Sequence, residues 1–316
     1  MKNTGYLNSF IAIILLQLIV FTSFQANAQY EDKSYLKKGI IENHRTEITP
    51  DSKYGFVVSQ YNLTEALKDP SKYRSARFYQ AGLKEFPELL FLFKNLEEID
   101  LSSNQLTALP DRLTAFKLLK ELHVNNNKLT ALGIEITNCT QLQVLQIQDN
   151  PLQTISPEIA KMIALEEFTM GEIATECTIP DQLWTLYGLK KIKITNSNMT
   201  KIPVEIKNFK QLDVLCLSHN AITEIPNEVY SLSTITYLNL GHNKLNSVSS
   251  DIGKLENLDY LGVFYNPITY IPKEVTTLKN ISFISCWNTN VPSQEIEKIK
   301  ARLPKTKVHD TETDLH

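Results

Sequence analysis

The chain has 316 residues, with 32 basic and 35 acidic side chains, a net charge of −3 and four cysteines. This balance excludes the strongly basic surface that binding to nucleic acid requires. The sequence contains no glycine-rich phosphate loop, no HExxH motif and no nucleophile elbow. We therefore predict no enzymatic activity, no cofactor and no metal site.

The N-terminus has the pattern of an export signal. Lys2 precedes an apolar stretch from Leu7 to Phe24, and Ala26-Asn27-Ala28 has the small residues of a cleavage site. We predict a signal peptide over residues 1–28 and a mature protein that is secreted, periplasmic or on the cell surface. The apolar stretch is also long enough for an uncleaved membrane anchor. We expect no membrane span after cleavage.

Residues 29–72 are predicted to form an N-terminal segment that ends in a capping helix. Asn62 and Glu65 have the spacing of a helix start, and apolar residues follow at helical spacing before Pro70. An array of repeats needs such a cap because its first unit has an exposed apolar end.

From residue 73 to residue 292 the frame LxxLxLxxNxLxxL returns about every 23 residues. A repeat this short cannot bury its own apolar face, so consecutive repeats must stack into a solenoid. The alternation in LxL predicts a strand. The proline that follows ends the strand, and the xxIxxL spacing predicts a 3₁₀ or short helical turn. Frames begin at Tyr73, Leu96, Leu119, Leu142, Leu165, Leu189, Leu212, Ile235, Leu258 and Ile281.

These motifs resemble the leucine-rich repeat family, in its 23-residue LPxxIxxL class, which is found in scaffold and disease-resistance arrays. Leu109-Pro110, Ile202-Pro203, Ile225-Pro226 and Ile271-Pro272 carry that second half. The resemblance implies an α/β fold, a curved solenoid with a concave parallel β-sheet and short helical or 3₁₀ turns on the convex side. Since the chain lacks the cysteine-rich caps of animal extracellular members, it resembles a bacterial-type exported member.

The asparagine of the frame is predicted to be structural. Its side chain donates and accepts hydrogen bonds, so stacked copies can pair backbone groups where the chain leaves each strand. The fifth frame places Ile173 at this position and runs 24 residues, which indicates a bulge that is either a binding feature or tolerated variation. The predicted ladder consists of Asn104, Asn127, Asn150, Asn220, Asn243 and Asn266.

The array is predicted to end in a capping helix over residues 293–303. Ser293 is the expected helix cap, and apolar residues at Ile296, Ile299 and Leu303 share one face. Residues 304–316 are polar and are predicted to be disordered.

The concave positions of the C-terminal frames are rich in aromatic residues. An exposed apolar patch usually marks an interaction site, with tyrosine and tryptophan as favoured anchors. The C-terminal cap or a neighbouring copy could instead cover it. The predicted ligand-binding residues of this patch are Tyr237, Asn239, Tyr260, Phe264, Tyr265, Phe283 and Trp287.

Charged residues occupy the same face earlier in the array. Glu98, Asp100 and Glu121 are predicted to contact a ligand, either by orienting a basic partner or simply as part of a solvated face. The charges that follow are Asp149, Glu167, Glu172, Lys191 and Lys193.

Two histidines, His219 and His242, occupy the same position in neighbouring frames, so their rings are expected about 5 Å apart. Together with Cys216 they could suggest a metal site. This position is an ordinary polar slot in other frames, however, and we expect a pH-sensitive pair instead.

The sequence therefore predicts an exported, non-enzymatic binding module that recognises a protein or peptide through its concave sheet face. The alternative is a surface adhesive or glycan-binding structural protein, because rows of aromatic rings can stack on sugars.

Overall fold

The computed structural model describes residues 53, 55–173 and 177–311. The predicted signal peptide, residues 29–52 and the last five residues lie outside this part. The chain divides into two compact units, Met1–Leu129 and Thr130–His316, and each is described by itself.

The first unit is built on four parallel strands among its described residues. Neighbours pair in chain order, and from the second strand onward directly opposed residues are 23 positions apart, as in Ser75, Glu98 and Glu121. The elements are β1 (Phe56–Val58), α1 (Leu63–Ala66), a 3₁₀ helix at Pro70–Lys72, β2 (Tyr73–Arg77), a 3₁₀ helix at Glu88–Leu92, β3 (Glu98–Asp100), a 3₁₀ helix at Asp111–Ala115 and β4 (Glu121–His123).

The second unit contains a longer array of the same kind. Its strands are β5 (Ala131–Leu132), β6 (Val144–Gln146), β7 (Thr154–Ile155), β8 (Glu167–Gly171), β9 (Lys191–Thr195), β10 (Val214–Cys216), β11 (Tyr237–Asn239), β12 (Tyr260–Gly262), β13 (Phe283–Ser285) and β14 (Lys307–His309). Strands β6 and β8 to β14 pair in parallel in that order, and β5 pairs with β7 in a small separate sheet.

Short helices lie between these strands. The α-helices are α2 (Ile134–Thr137) and α3 (Ser293–Arg302). The 3₁₀ helices are Pro157–Lys161, Asp181–Thr185, Val204–Asn208, Asn227–Ser231, Ser250–Lys254 and Lys273–Thr277. The predicted α/β class, with a parallel sheet and short helical turns built by stacked repeats, is confirmed in each unit.

The register explains how the core is shared between repeats. Leu215, Leu238 and Leu261 lie directly opposite one another on β10 to β12, and all three are fully buried. Their neighbours on each strand point to the other face of the sheet, because side chains alternate along a strand. We call that other face the exposed sheet face.

Prolines and serines start the 3₁₀ helices. Pro203, Pro226 and Pro272 stand directly before three of them with φ between −65° and −67°, which ends the extended segment. In two repeats a serine takes this position, and its side chain caps the helix instead. Ser156 Oγ accepts from Glu158 N, and Ser249 Oγ accepts from Asp251 N, both at 3.2 Å.

The recurring asparagines pair buried backbone groups between repeats. Asn243 Nδ2 donates to the carbonyl oxygens of Leu217 and Leu240 at 2.9 and 3.0 Å, and its Oδ1 accepts from Ile222 N at 3.0 Å. Asn266 makes the equivalent contacts one repeat later. In each case one amide joins two repeats at the point where the chain leaves the strand.

Neither predicted cap supplies a capping side chain. Asn62 occupies the cap position of α1, which begins at Leu63 as its sequence signal predicts. Its side chain closes the turn that follows β1 instead, because Oδ1 accepts from Ser59 N and Nδ2 donates to Val57 O, both at 2.8 Å. Ser293 is the first residue of α3, and the cap position is Pro292, which has no side-chain hydrogen bond to offer. Helix α3 itself lies where the C-terminal capping helix was predicted.

The prediction of disorder from residue 304 onward is wrong for β14. This strand pairs in parallel with β13, and Thr306 Oγ1 donates to Ile281 O at 2.7 Å just before it. Val308 lies opposite the buried Ile284, and His309 is 2 % exposed. Strand pairing, the buried Val308 and the contact of His309 Nδ1 with Ser285 Oγ at 3.2 Å together hold this segment.

Candidate ligand-binding face

The first aromatic row lies on the exposed sheet face of the second unit. It consists of Tyr237, Tyr260 and Phe283, which the register of β11, β12 and β13 places directly opposite one another. Their ring centroids are 4.3 and 5.5 Å apart, and the ring planes differ by 9° and 11°. The rings therefore stack face to face along the row, and their edges are left towards the solvent.

The second aromatic row lies where the chain leaves the strands. It consists of His219, His242, Tyr265 and Trp287, whose successive ring centroids are 3.9, 4.0 and 4.4 Å apart. Phe264 lies beside this row, 5.4 Å from His242 and 6.3 Å from Trp287. The two histidines are thus closer than the strand spacing alone predicts.

Three of the four residues in the second row have a left-handed backbone, and Trp287 does not. His219, His242 and Tyr265 have φ between 50° and 56°, and the residue before the repeat asparagine has the same conformation in the first unit, as at Ser103 and Asn126. Sequence reasoning described this position only as a polar slot. The available signal was its enrichment in asparagine, aspartate and histidine, which tolerate positive φ better than other residues.

Small residues between the two rows make room for the rings. A Cβ atom on Gly262 would lie 2.9 Å from the hydroxyl of Tyr260, and one on Gly241 would overlap the ring of Phe264. The rings lean over the sheet, so Cys216 and Ser285 beneath them are buried. We call the two rows together with Phe264 the aromatic face.

The structure places Asn239 beneath the aromatic face. It is only 9 % exposed, its Oδ1 accepts from Gly241 N at 3.0 Å and its Nδ2 donates to the Tyr237 hydroxyl at 3.3 Å. Asn239 therefore supports the first row and is not presented to a ligand as predicted. The other six predicted residues of the patch are all partly exposed: Tyr237, Tyr260, Phe264, Tyr265, Phe283 and Trp287.

Two groups of the aromatic face have shifted pKa values, the Tyr260 hydroxyl and the His242 imidazole. Burial is the main cause that raises the pKa of the Tyr260 hydroxyl, and the nearby Tyr237 raises it further. The hydroxyl therefore stays protonated and able to donate a hydrogen bond. Burial is the main cause that lowers the pKa of His242, and repulsion from His219 lowers it further. Both effects favour the neutral imidazole of His242.

The stacked histidines do not have the geometry of a metal site. Their ring planes differ by only 15°, so the nitrogen lone pairs of the two rings run parallel and do not converge on one point. Cys216 Sγ is buried and lies 3.5 Å from Ser218 Oγ. The alternative of a metal held by this pair and Cys216 therefore finds no support in the arrangement.

The predicted acidic contacts of the first unit are already paired within the protein. Glu98 is 6 % exposed, accepts from Ser75 Oγ at 2.6 Å and lies 3.1 Å from an Arg77 guanidinium nitrogen. Glu121 lies 2.5 Å from Lys53 Nζ. Asp100 Oδ1 accepts from Ser102 N at 2.9 Å. Glu98 and Glu121 thus already have cationic partners within the protein, and their predicted contact with a ligand stays a prediction.

Two of the following acidic residues, in the second unit, also have partners within the protein. Glu167 forms an ion pair with Lys191 across β8 and β9 at 2.9 Å, and Glu172 Oε2 accepts from Asn196 Nδ2 at 2.5 Å. In the irregular fifth repeat Ile173 is buried, as is Cys177, so the departure from the frame keeps apolar residues in the core. Residues 174–176 of that repeat lie outside the described residues.

The repeat assignment agrees with comparisons against known families. A model described as leucine rich repeat matches residues 210–268, and a model described as leucine rich repeats in two copies matches residues 94–136. With the stacked repeats described above, these matches show that the chain is a leucine-rich repeat protein. The finer 23-residue LPxxIxxL class stays a prediction. No curated protein sequence matches the chain significantly.

Solved structures share the fold at low sequence identity. The functional domain of InlJ from Listeria monocytogenes is 22 % identical with a TM-score of 0.59, over 75 % of this chain and 47 % of that one. The ectodomain of the receptor kinase GASSHO1/SCHENGEN3 from Arabidopsis thaliana is 25 % identical with a TM-score of 0.61, over 75 % and 28 %. The plant peptide hormone receptor RGFR1 is 22 % identical with a TM-score of 0.57, over 76 % and 44 %.

The chain thus spans less than half the length of these three proteins. Within the part of the chain that the structure describes, no helix has the length and apolar character needed to cross a membrane.

Proposed function

We propose that this protein is an exported, non-enzymatic module that binds a protein or peptide through the aromatic face. The observation that carries the proposal is the pair of aromatic rows, one on the exposed sheet face and one where the chain leaves the strands, whose rings are already packed against one another. Aromatic side chains that are already ordered lose little conformational entropy on binding, which is why they serve as anchors.

The orientation of the rings favours a polypeptide over a sugar. Within the first row the face of Tyr260 is covered on both sides, by Tyr237 and by Phe283. A sugar that stacks on an aromatic ring needs an open ring face. Ring edges carry partial positive charge, so they suit the backbone carbonyls and carboxylates of a polypeptide. This argument weakens the alternative of an adhesive or glycan-binding surface protein.

The related folds support the same class of ligand. The GASSHO1/SCHENGEN3 ectodomain was solved in complex with CASPARIAN STRIP INTEGRITY FACTOR 2, and RGFR1 in complex with RGF2. The signal-like pattern of residues 1–28 supports export to the periplasm, the cell surface or the medium.

Selection from a random peptide library displayed on phage tests this proposal. Peptides enriched on the 316-residue chain are then measured against a Phe264→Ala, Trp287→Ala double variant. We expect the double variant to bind at least about 100-fold more weakly, since each anchor contributes roughly tenfold or more. Tyr187→Ala serves as the control, because Tyr187 is 46 % exposed and lies outside the aromatic face.

Two results would contradict the proposal. One is full affinity of the selected peptides for the double variant while its circular dichroism spectrum is unchanged. The other is failure to enrich any peptide together with glycan-array binding that depends on Phe264 and Trp287, which would establish the glycan-binding alternative.

A further inference from the structure

We propose that Glu98, Glu121 and His123 form a binding site for a divalent transition-metal ion of the zinc type in the first unit. One potential ligand atom from each of the three residues lies within 4.8 Å of the other two. This site is separate from the aromatic face, and the inference does not depend on the proposed function.

The strand register brings the three residues together. Glu98 on β3 lies directly opposite Glu121 on β4, and His123 follows Glu121 by two residues, so all three point to the same face of the sheet. Two carboxylates placed directly opposite each other repel, and a cation between them removes that repulsion. His123 adds a nitrogen ligand, with Nε2 lying 3.6 Å from Glu121 Oε2.

Each carboxylate has a supporting contact that holds one of its oxygens. Ser75 Oγ donates to Glu98 Oε2 at 2.6 Å, and Lys53 Nζ lies 2.5 Å from Glu121 Oε1. Outer hydrogen bonds of this kind orient metal ligands in known sites. One ligand atom of each of the three residues faces the other two within 4.8 Å, and an ion bound there would compete with Arg77 Nε, which contacts both Glu98 oxygens at 3.3 and 3.4 Å.

The donor set fits zinc better than calcium or magnesium. Zinc accepts imidazole nitrogen and carboxylate oxygen at about 2.0–2.2 Å, usually with four ligands, whereas calcium and magnesium prefer oxygen alone. The side chains of Glu121 and His123 are 13 % and 17 % exposed, so they can close around an ion that enters from the solvent. Water would complete the coordination. The opposing interpretation is an ion-pair network in which Arg77 and Lys53 already neutralise both carboxylates.

Zinc titration of the full chain separates these interpretations. The protein is first dialysed against a chelator, and Zn²⁺ is then added in an isothermal titration calorimeter. We expect saturable binding of one ion per chain. His123→Gln and Glu121→Gln should each weaken that binding by at least about tenfold, because each removes one of three protein ligands. Glu98 is left unchanged because it is buried and its loss endangers folding.

His219→Asn provides the matched control. His219 is an exposed histidine on the second unit, and asparagine tolerates its left-handed backbone. This variant should bind zinc like the unaltered chain. Cobalt substitution gives a second readout, since Co²⁺ at the site should show visible absorption bands that disappear in His123→Gln. Absence of saturable zinc binding, or equal affinity in His123→Gln, Glu121→Gln and the unaltered chain, would overturn the proposal in favour of the ion-pair network.

Discussion

The ring of Phe264 occupies the space that a side chain on Gly241 would need. Gly241 lies one repeat earlier in the chain, at the position that Phe264 holds in its own repeat. The absence of a side chain at Gly241 thus leaves room for the ring of Phe264 from the next repeat. The position of Phe264 in the aromatic face therefore requires a glycine at position 241.

Substituting Gly241 by alanine tests this requirement. The added methyl group should displace Phe264 and lower the free energy of unfolding by about 1–3 kcal/mol, the usual cost of overpacking. Urea denaturation followed by circular dichroism measures the change. In Gly188→Ala the nearest atoms to the new methyl group lie 3.6 Å away, an ordinary contact, so this control should change stability by less than about 0.5 kcal/mol. Equal stability of the two variants would argue against this requirement.

Removing one asparagine of the ladder should destabilise the array. Asn243→Ala leaves the carbonyl oxygens of Leu217 and Leu240 and the N–H of Ile222 without their partner. We expect a loss of roughly 1–3 kcal/mol in the free energy of unfolding. Asn246→Ala is the control, because Asn246 is exposed. A thermal melt of Asn243→Ala that matches that of the control would refute the role of the ladder.

The stacked histidines should make stability depend on pH. Because the pKa of His242 is lowered from its usual 6.5 in the folded protein, the unfolded chain binds a proton more readily. The contribution of His242 to stability is therefore present above pH 6.5 and is lost as the pH falls through its folded pKa. His242→Asn should reduce this acid-dependent loss, as measured by thermal melts between pH 7.5 and about 5.

Nuclear magnetic resonance titration of the imidazole protons examines the cause of that shift. Burial is the larger cause and repulsion from His219 the smaller, so His219→Asn should raise the pKa of His242 only part of the way towards 6.5. A pKa of His242 that does not respond to His219→Asn would show that the two rings do not interact in solution.

The last strand should contribute measurably to stability. Val308→Ala removes two buried methyl groups next to Ile284 and should cost about 1–2 kcal/mol. Amide hydrogen exchange provides an independent readout, since protection of Lys307 N, which donates to Ser282 O, should fall in the variant. Lys305→Ala, at an exposed position before the strand, is the control. Rapid exchange of Lys307 N in the unaltered chain would mean that β14 does not persist in solution.

The sequence pattern predicted those features that repeat in every frame. Leu215, Leu238 and Leu261 recur at a fixed spacing, so their burial and the parallel sheet follow from periodicity alone. The asparagine positions could be predicted for the same reason, because one local geometry returns in each repeat.

Features that depend on contacts between different positions could not be predicted in this way. The frame places Asn239 on the exposed face of its strand, but it is buried because Tyr237 and neighbouring rings lean over it. Glu121 is paired with Lys53, a residue that precedes the array and follows no repeat pattern. No sequence signal distinguishes His123, because its value as a ligand arises only from its distance to Glu98 and Glu121.

Strand β14 could not be predicted because its sequence contains only one apolar residue. Val308 stands between Lys307 and His309, and this short alternation is too brief to distinguish a strand from a polar tail. Pairing with β13 decides the outcome, and that pairing is a tertiary effect.

Stacking in the first aromatic row limits how the ligand specificity of this protein can evolve by substitution. Tyr260 touches a ring on either side, so replacing one member alters the surroundings of the next. Substitutions at these three positions should be non-additive, with energetic coupling between adjacent members. New specificity would therefore arise through coordinated replacement in neighbouring repeats rather than through isolated point changes.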